Sequence, residues 1–249
     1  MPFALAPLTG LLVGSFLNVV AYRLPRRESL VTPASRCPGC DTPIKPWDNV
    51  PVLSWLLLRG RCRSCSERIS PRYPLVELVT AALYLLVVVV KGLDSDAWLG
   101  LALVTMLVPM TIIDLEHRIV PNRLLAPSAL AAVAILAATD ASRLPEHLLA
   151  GLAAGGFLLL AAIASPKGMG MGDVKLAAVL GLYLGWSVAP AMLVALVTGT
   201  VVGVAVIARV GVVQGRKTAV PFGPFLAVGA LVALVVGPAL VDRYLGTFG

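Results

Sequence analysis

Two acidic side chains close apolar runs: Asp114 ends Leu107-Val108-Pro109-Met110-Thr111-Ile112-Ile113-Asp114, and Asp173 ends the glycine-rich stretch Gly168-Met169-Gly170-Met171-Gly172-Asp173. An ionisable group at membrane depth is costly unless hydrated or paired, so each marks a functional-site candidate. Taken singly, Asp114 reads as a solvated helix end. As a pair they acquire a chemistry. Two carboxyls held close do not both ionise readily, so one keeps its proton while the other acts as base on a water, which is what aspartyl peptide hydrolysis requires. A histidine-based nucleophile is poorly supported, because His117 reads as a loop residue and His147 falls on the opposite side of the membrane.

The second constellation is Cys37-Pro38-Gly39-Cys40 with Cys62-Arg63-Ser64-Cys65, separated by the 21 residues 41–61 and using all four cysteines. Each CxxC turn presents two sulfurs on one side of a tight knuckle, and four thiolates complete a tetrahedral zinc shell with no open position. The expected ion is therefore structural, held by Cys37, Cys40, Cys62 and Cys65. Paired disulfides or a redox CxxC are the alternatives; a reducing compartment disfavours the first, and the second needs only one pair.

These groups must be carried by membrane helices. The chain is 58% hydrophobic and 13% charged, with a mean hydropathy of +0.91, outside the soluble globular range. The expected fold is an all-α polytopic membrane protein of about eight transmembrane helices, near 3–22, 75–90, 97–113, 124–139, 148–164, 174–187, 188–208 and 222–241. The first has no basic n-region before Phe3 and no small-residue cleavage site before Arg23, so it reads as a retained helix. The expected organisation is a first helix over 1–22, a cytoplasmic four-cysteine zinc-binding domain over 23–74 inserted between helices one and two, and a seven-helix membrane domain over 75–249. Seventeen of the 20 Lys and Arg residues then fall on one side, leaving Lys91, Arg143 and Arg243 opposite. That side is cytoplasmic, and both aspartates belong to it. The net charge of +7 follows from topology and attraction to anionic lipid, and gives no reason to expect nucleic acid as a partner.

Several other residues read more simply as structural. Gly10, Gly14, Ser15 and Asn18 let a second helix approach the first, with Asn18 seeking an interhelical partner. Gly151 with Gly155, Gly181 with Gly185, and Gly199 with Gly203 have the spacing of close-packing faces. Glu77 favours its helix dipole or joins a polar site. The stretch Pro46 to Leu58, with Trp47 and Trp55, either packs on the knuckles or lies in the membrane interface. No internal repeat is evident.

Together these motifs resemble the type IV prepilin peptidase family of GxGD membrane aspartyl peptidases. The matching stretches are GSFLNVVAYRLP (14–25), CPGC with CRSC, PWDNVPVLSWLLLRGRC, SPRYPLVELVTA, DLEHRIVPN, GMGMGDVKL and VPFGPFLAVGA. The resemblance implies a bifunctional enzyme of the bacterial inner membrane. It would cut the basic leader of prepilins or type II secretion pseudopilins after a glycine, then N-methylate the exposed residue from S-adenosylmethionine. It also implies that Asp114 and Asp173 are the catalytic pair and that the four cysteines belong to the domain linked to methylation. Asn122 departs from the pattern, where many members have Asp. A leader peptidase without methylation is one alternative. A proton-coupled transporter is another, although the inverted repeat it calls for is absent.

Overall fold

The structure is a computed structural model that describes residues 2–165, 169–211 and 220–248. Lys167, Gly168, Arg216 and Lys217, used above for topology and for the glycine-rich motif, lie outside the described residues. The described residues form α1 (Pro2–Arg23), α2 (Leu53–Leu57), α3 (Arg72–Lys91), α4 (Ser95–His117), α5 (Asn122–Thr139), α6 (Leu144–Ala164), α7 (Met171–Leu184), α8 (Val188–Val210) and α9 (Gly223–Phe248). Seven stretches among them are long and apolar enough to cross a membrane, and one of these, Met171–Val210, contains both α7 and α8. An all-α multi-pass architecture is what the composition demands, since backbone groups in lipid must be satisfied within the segment.

The 40-residue run is divided at Gly185. Its φ of +56° lies in a region that L side chains rarely adopt. A Cβ there would also meet Glu146 Oε1 and His147 Nε2 at 3.2 Å. Behind this turn His147 is buried, with Nδ1 2.9 Å from the Leu182 carbonyl oxygen. The short 3₁₀ turn Gly185–Ser187 then leads into α8.

The chain divides into two compact units, Met1–Ala97 and Trp98–Gly249. In the first, α1 and α3 pack along a seam of small residues. A Cβ on Gly10 would fall 2.6 Å from the Ala81 Cα, and one on Gly14 2.8 Å from the Glu77 Cα, so glycine is what permits the close approach. One turn on, Asn18 donates from Nδ2 to the Tyr73 carbonyl at 3.1 Å, the interhelical partner its position requires.

In the second unit α6 and α7 meet the same way, with Gly151 and Gly155 against Ala178, Leu182 and Gly181. Tyr183 on α7 donates to the Ser128 carbonyl of α5 at 2.7 Å. The pairing of α8 with α9 rests on Gly229, where a Cβ would fall onto the Ala191 carbonyl, and on Gly199, which faces Phe222 and Phe225. Gly203 departs from the expected packing role: nothing lies within 4 Å of a Cβ built there. Its spacing matched the motif, but none of the described helices passes close to that face.

Candidate active site and metal centre

Asp114 is carried by α4, three residues before its end. The helix runs on to His117, so Glu116 and His117 are helical and not, as the apolar pattern suggested, beyond the helix. It ends where Arg118 turns to a φ of +54° while its amide bonds the Asp114 carbonyl at 2.9 Å. Asp173 likewise lies inside a helix, in the first turn of α7, its amide bonded to the Gly170 carbonyl at 3.1 Å.

Three elements converge on these carboxyls. Asp114 is 4% exposed, and its Oδ2 accepts the amide of Gly223, at the start of α9, at 3.0 Å. The first turn of α7 rests on the loop that follows Asp114: a Cβ on Gly172 would stand 2.9 Å from Val120 Cβ. Lys175 Nζ donates to Asn122 Oδ1 at 3.1 Å, tying the start of α7 to the start of α5. Asp173 is partly buried and lies near enough to Asp114 for the charge of one to act on the other. A buried carboxyl under a fixed amide, with a second at the N-terminus of a neighbouring helix, supplies two groups of the type that acid–base chemistry on a water needs. An open apolar hollow of about 400 Å³ is lined by Ala162, Ile163, Met169 and Met171, and Met171 is two residues before Asp173 in the chain.

Sequence reasoning did not find the Gly223 amide. Its only signal is that Gly223 stands between Pro221 and Pro224 in Val220-Pro221-Phe222-Gly223-Pro224-Phe225, where two fixed φ angles preset the backbone.

The four thiols are free and gathered, their Sγ atoms all within 4.8 Å of one another, with Cys37 and Cys65 at 3.7 Å. This set could hold a metal ion. A tetrahedral ion with sulfur at about 2.3 Å needs sulfurs at about that mutual spacing. The two knuckles also correct the expectation that no internal repeat exists. Ser35–Ile44 and Gly60–Ile69 have the same backbone plan, Cys37 and Cys62 amides bonding the Thr42 and Glu67 carbonyls at 3.0 and 2.8 Å. Ile44 and Ile69 amides close each loop on Ser35 and Gly60, both at 2.8 Å, and Asp41 and Ser66 hold equivalent positive φ angles of 54° and 61°. The Arg-Cys-x-x-Cys-x-x-x-Ile pattern carries the repeat.

The thiols differ electrostatically. Hydrogen bonds from the Thr42 hydroxyl and backbone bring Cys40 down to about 6, and the Cys65 and Ser64 amides lower Cys62. Cys65, although the Glu67 amide draws it down, is pushed up to about 12 by desolvation and by the other three sulfurs, Cys40 first among them. Crowded sulfur charge of this kind is what a divalent cation relieves.

Comparison with known proteins identifies the family. Residues 8–91 match the model of the bacterial peptidase A24 N-terminal domain, and residues 101–207 that of the type IV leader peptidase family. A prepilin leader peptidase/N-methyltransferase of Aeromonas salmonicida is 34% identical over 278 residues, covering 98% of this chain and 94% of that protein. Proteins with the same name from Stutzerimonas stutzeri and Pseudomonas aeruginosa are each 37% identical, covering 95% and 96% of this chain and 91% of their own length. No solved structure matches. With four cysteines in the segment matching the N-terminal domain and two converging aspartates in the segment matching the peptidase, the chain belongs to the type IV leader peptidase family.

Proposed function

We propose that this chain is a bifunctional prepilin leader peptidase and N-methyltransferase of the bacterial cytoplasmic membrane, with Asp114 and Asp173 as its catalytic pair facing the cytoplasm. Family membership and relatives bearing that name over nearly their full length support the two activities; the transporter alternative is not favoured. The observation that carries the site is the convergence of α4, α7 and α9 on two carboxyls, one of them held under the Gly223 amide.

The chemistry follows from the pair. One aspartate, ionised, takes a proton from water as the oxygen attacks the scissile carbonyl carbon. The other, protonated, hydrogen-bonds the carbonyl oxygen as negative charge develops there. Collapse of the tetrahedral species breaks the C–N bond, and the proton passes to the leaving amine. The products are a leader carboxylate and a new N-terminal amine. S-adenosylmethionine, when bound, would supply the methyl group for that amine, which would shed a proton. The hollow at Ala162, Ile163, Met169 and Met171 would take the apolar stem of the substrate, Met171 being two residues before Asp173 in the chain.

Zinc is the ion proposed for Cys37, Cys40, Cys62 and Cys65. Four thiolates leave it no open position, so its role is to fold a stretch too short to build its own core.

The test is leader release from a prepilin by Asp114→Asn and Asp173→Asn proteins. Each should be slowed by about 10²–10⁴-fold, the range for loss of a general acid or base. Normal release by either variant refutes the assignment.

A further inference from the structure

Residues 47–57 present an apolar face that the described residues leave uncovered. Trp47 is 63% exposed, Leu53 59%, Leu56 58% and Leu57 83%. The three leucines stand at i, i+3 and i+4 on α2 and so share one side of it. The reverse side is fastened. Trp55 donates from Nε1 to the Ile69 carbonyl at 3.1 Å, and its ring backs onto Gly60. Trp47 sits in a 3₁₀ turn whose Asp48 carboxylate takes Arg63 by two nitrogens, Nε at 3.0 Å and Nη2 at 2.6 Å. The exposed face is thus shaped by contacts behind it. Exposed apolar surface of this kind marks an interaction site.

Two observations identify what covers it. The first is depth. The Val52 amide, at the head of α2, donates to Glu77 Oε2 at 2.8 Å. Glu77 is the sixth residue of α3, about 8 Å along that helix from its first residue, and α3 is one of the stretches able to cross a membrane. With α3 crossing the bilayer, the head of α2 would lie beside its first turns, near the headgroup boundary.

The second is charge. Residues 23–74 hold ten Lys and Arg against four Asp and Glu. Lys45, Arg59 and Arg61 are exposed next to the apolar face in sequence, and the Lys45 ammonium stands 5.4 Å from the Trp47 ring centroid. Leucine and tryptophan bordered by cations at that level are the chemistry of an anionic phospholipid interface.

We infer that Trp47 and the Leu53, Leu56, Leu57 face of α2 are a lipid-docking surface, seated among the anionic headgroups of the leaflet in which α3 begins. The surface would hold the cysteine module against the bilayer. This inference rests on residues 1–97 alone and is independent of the peptidase assignment.

The experiment uses the full chain in phosphatidylethanolamine–phosphatidylglycerol vesicles, with Trp47 emission taken as the difference between wild type and Trp47→Phe. Lipids brominated near the head of the acyl chain should quench that emission more than lipids brominated near the chain end, and aqueous iodide should barely touch it. Exchange of phosphatidylglycerol for phosphatidylcholine should weaken the bromolipid quenching. Iodide quenching without bromolipid quenching overturns the inference. So does protection from iodide that appears only when a prepilin is added, or only at high protein density, which would assign the face to substrate or to a second copy.

Discussion

The backbone amide of Gly223 meets Asp114 Oδ2 at 3.0 Å, and a methyl group on that same glycine would fall 2.6 Å from the same oxygen. The start of α9 therefore aims a donor at a carboxyl through a gap only glycine leaves open. Met110 Sδ, 3.2 Å from the same Cβ position, closes the other side. Gly223→Ala must push either α9 or Asp114 aside. A displacement of about 1 Å at the reacting geometry costs about 10²-fold in rate, so leader cleavage should fall by about that factor while the melting temperature changes little. Steady-state cleavage kinetics beside a thermal scan check this; a near-normal rate would show that the amide does not position Asp114.

Gly172 supplies a second contact that can be relieved. Ala is favoured over Gly in a helix by about 1 kcal/mol, but a Cβ at 172 stands 2.9 Å from Val120 Cβ, and overpacking costs about 1–3 kcal/mol. The clash should win, so Gly172→Ala lowers both stability and cleavage. Val120→Gly added to it should restore cleavage, because the obstructing carbon is gone. A double-mutant cycle on cleavage rate that shows simple additivity would rule out this contact.

Metal analysis of the purified chain should give about one zinc ion per molecule, as a four-thiolate shell implies. Cys37→Ser, removing the buried ligand, should release the metal and make residues 23–74 susceptible to protease. Methylation of the processed N-terminus, followed by mass spectrometry, should suffer more than leader release, since the aspartates belong to the other compact unit. Equal loss of both activities would mean that the module serves cleavage as well.

The Asp48–Arg63 contact gives the cysteine module an acid limit. The Arg63 guanidinium holds Asp48 below its ordinary value of 3.8. A carboxyl depressed in the folded state contributes stability that is fully present above the unfolded value and is lost as pH falls through the folded one. Unfolding of this region, followed by Trp47 fluorescence, should therefore steepen as pH drops below about 4, near the usual Asp value. Asp48→Asn should flatten that dependence. The pair is solvent-facing at Arg63, 57% exposed, so added salt should shrink the difference.

Much of this was legible in the chain. An acid at the end of an apolar run is conspicuous because lipid penalises it, and Asp114 and Asp173 announce themselves that way. The cysteine spacing does the same for the knuckles. What escaped depends on packing between distant positions: Gly223 and Asp114 are 109 residues apart, and no local pattern reports which amide a carboxyl will find. The helix ends were misread by up to about two turns, most at α9, because hydropathy marks the apolar stretch, whereas the helix continues while its amides find carbonyls four residues back, as Arg118 does on Asp114. The Ser35–Ile44 and Gly60–Ile69 repeat was missed because only the cysteines were matched; the flanking Arg and Ile give it away. Asn122, notable as a departure from the family pattern, proves compatible with its place, since an amide oxygen serves Lys175 where a carboxylate would.

The glycine turn that ends α7 leaves that helix only 14 residues, or about 21 Å, against a hydrocarbon thickness of about 30 Å. Trp186, in the turn and 44% exposed, suits the far interface. With Trp186 at one interface, a helix this short would end before the opposite edge of the hydrocarbon, and Asp173 in its first turn would lie below that edge. On the proposed assignment, water and the leader bond would come down to the carboxyl, and a pilin stem would not need to be hauled out of the bilayer to be severed.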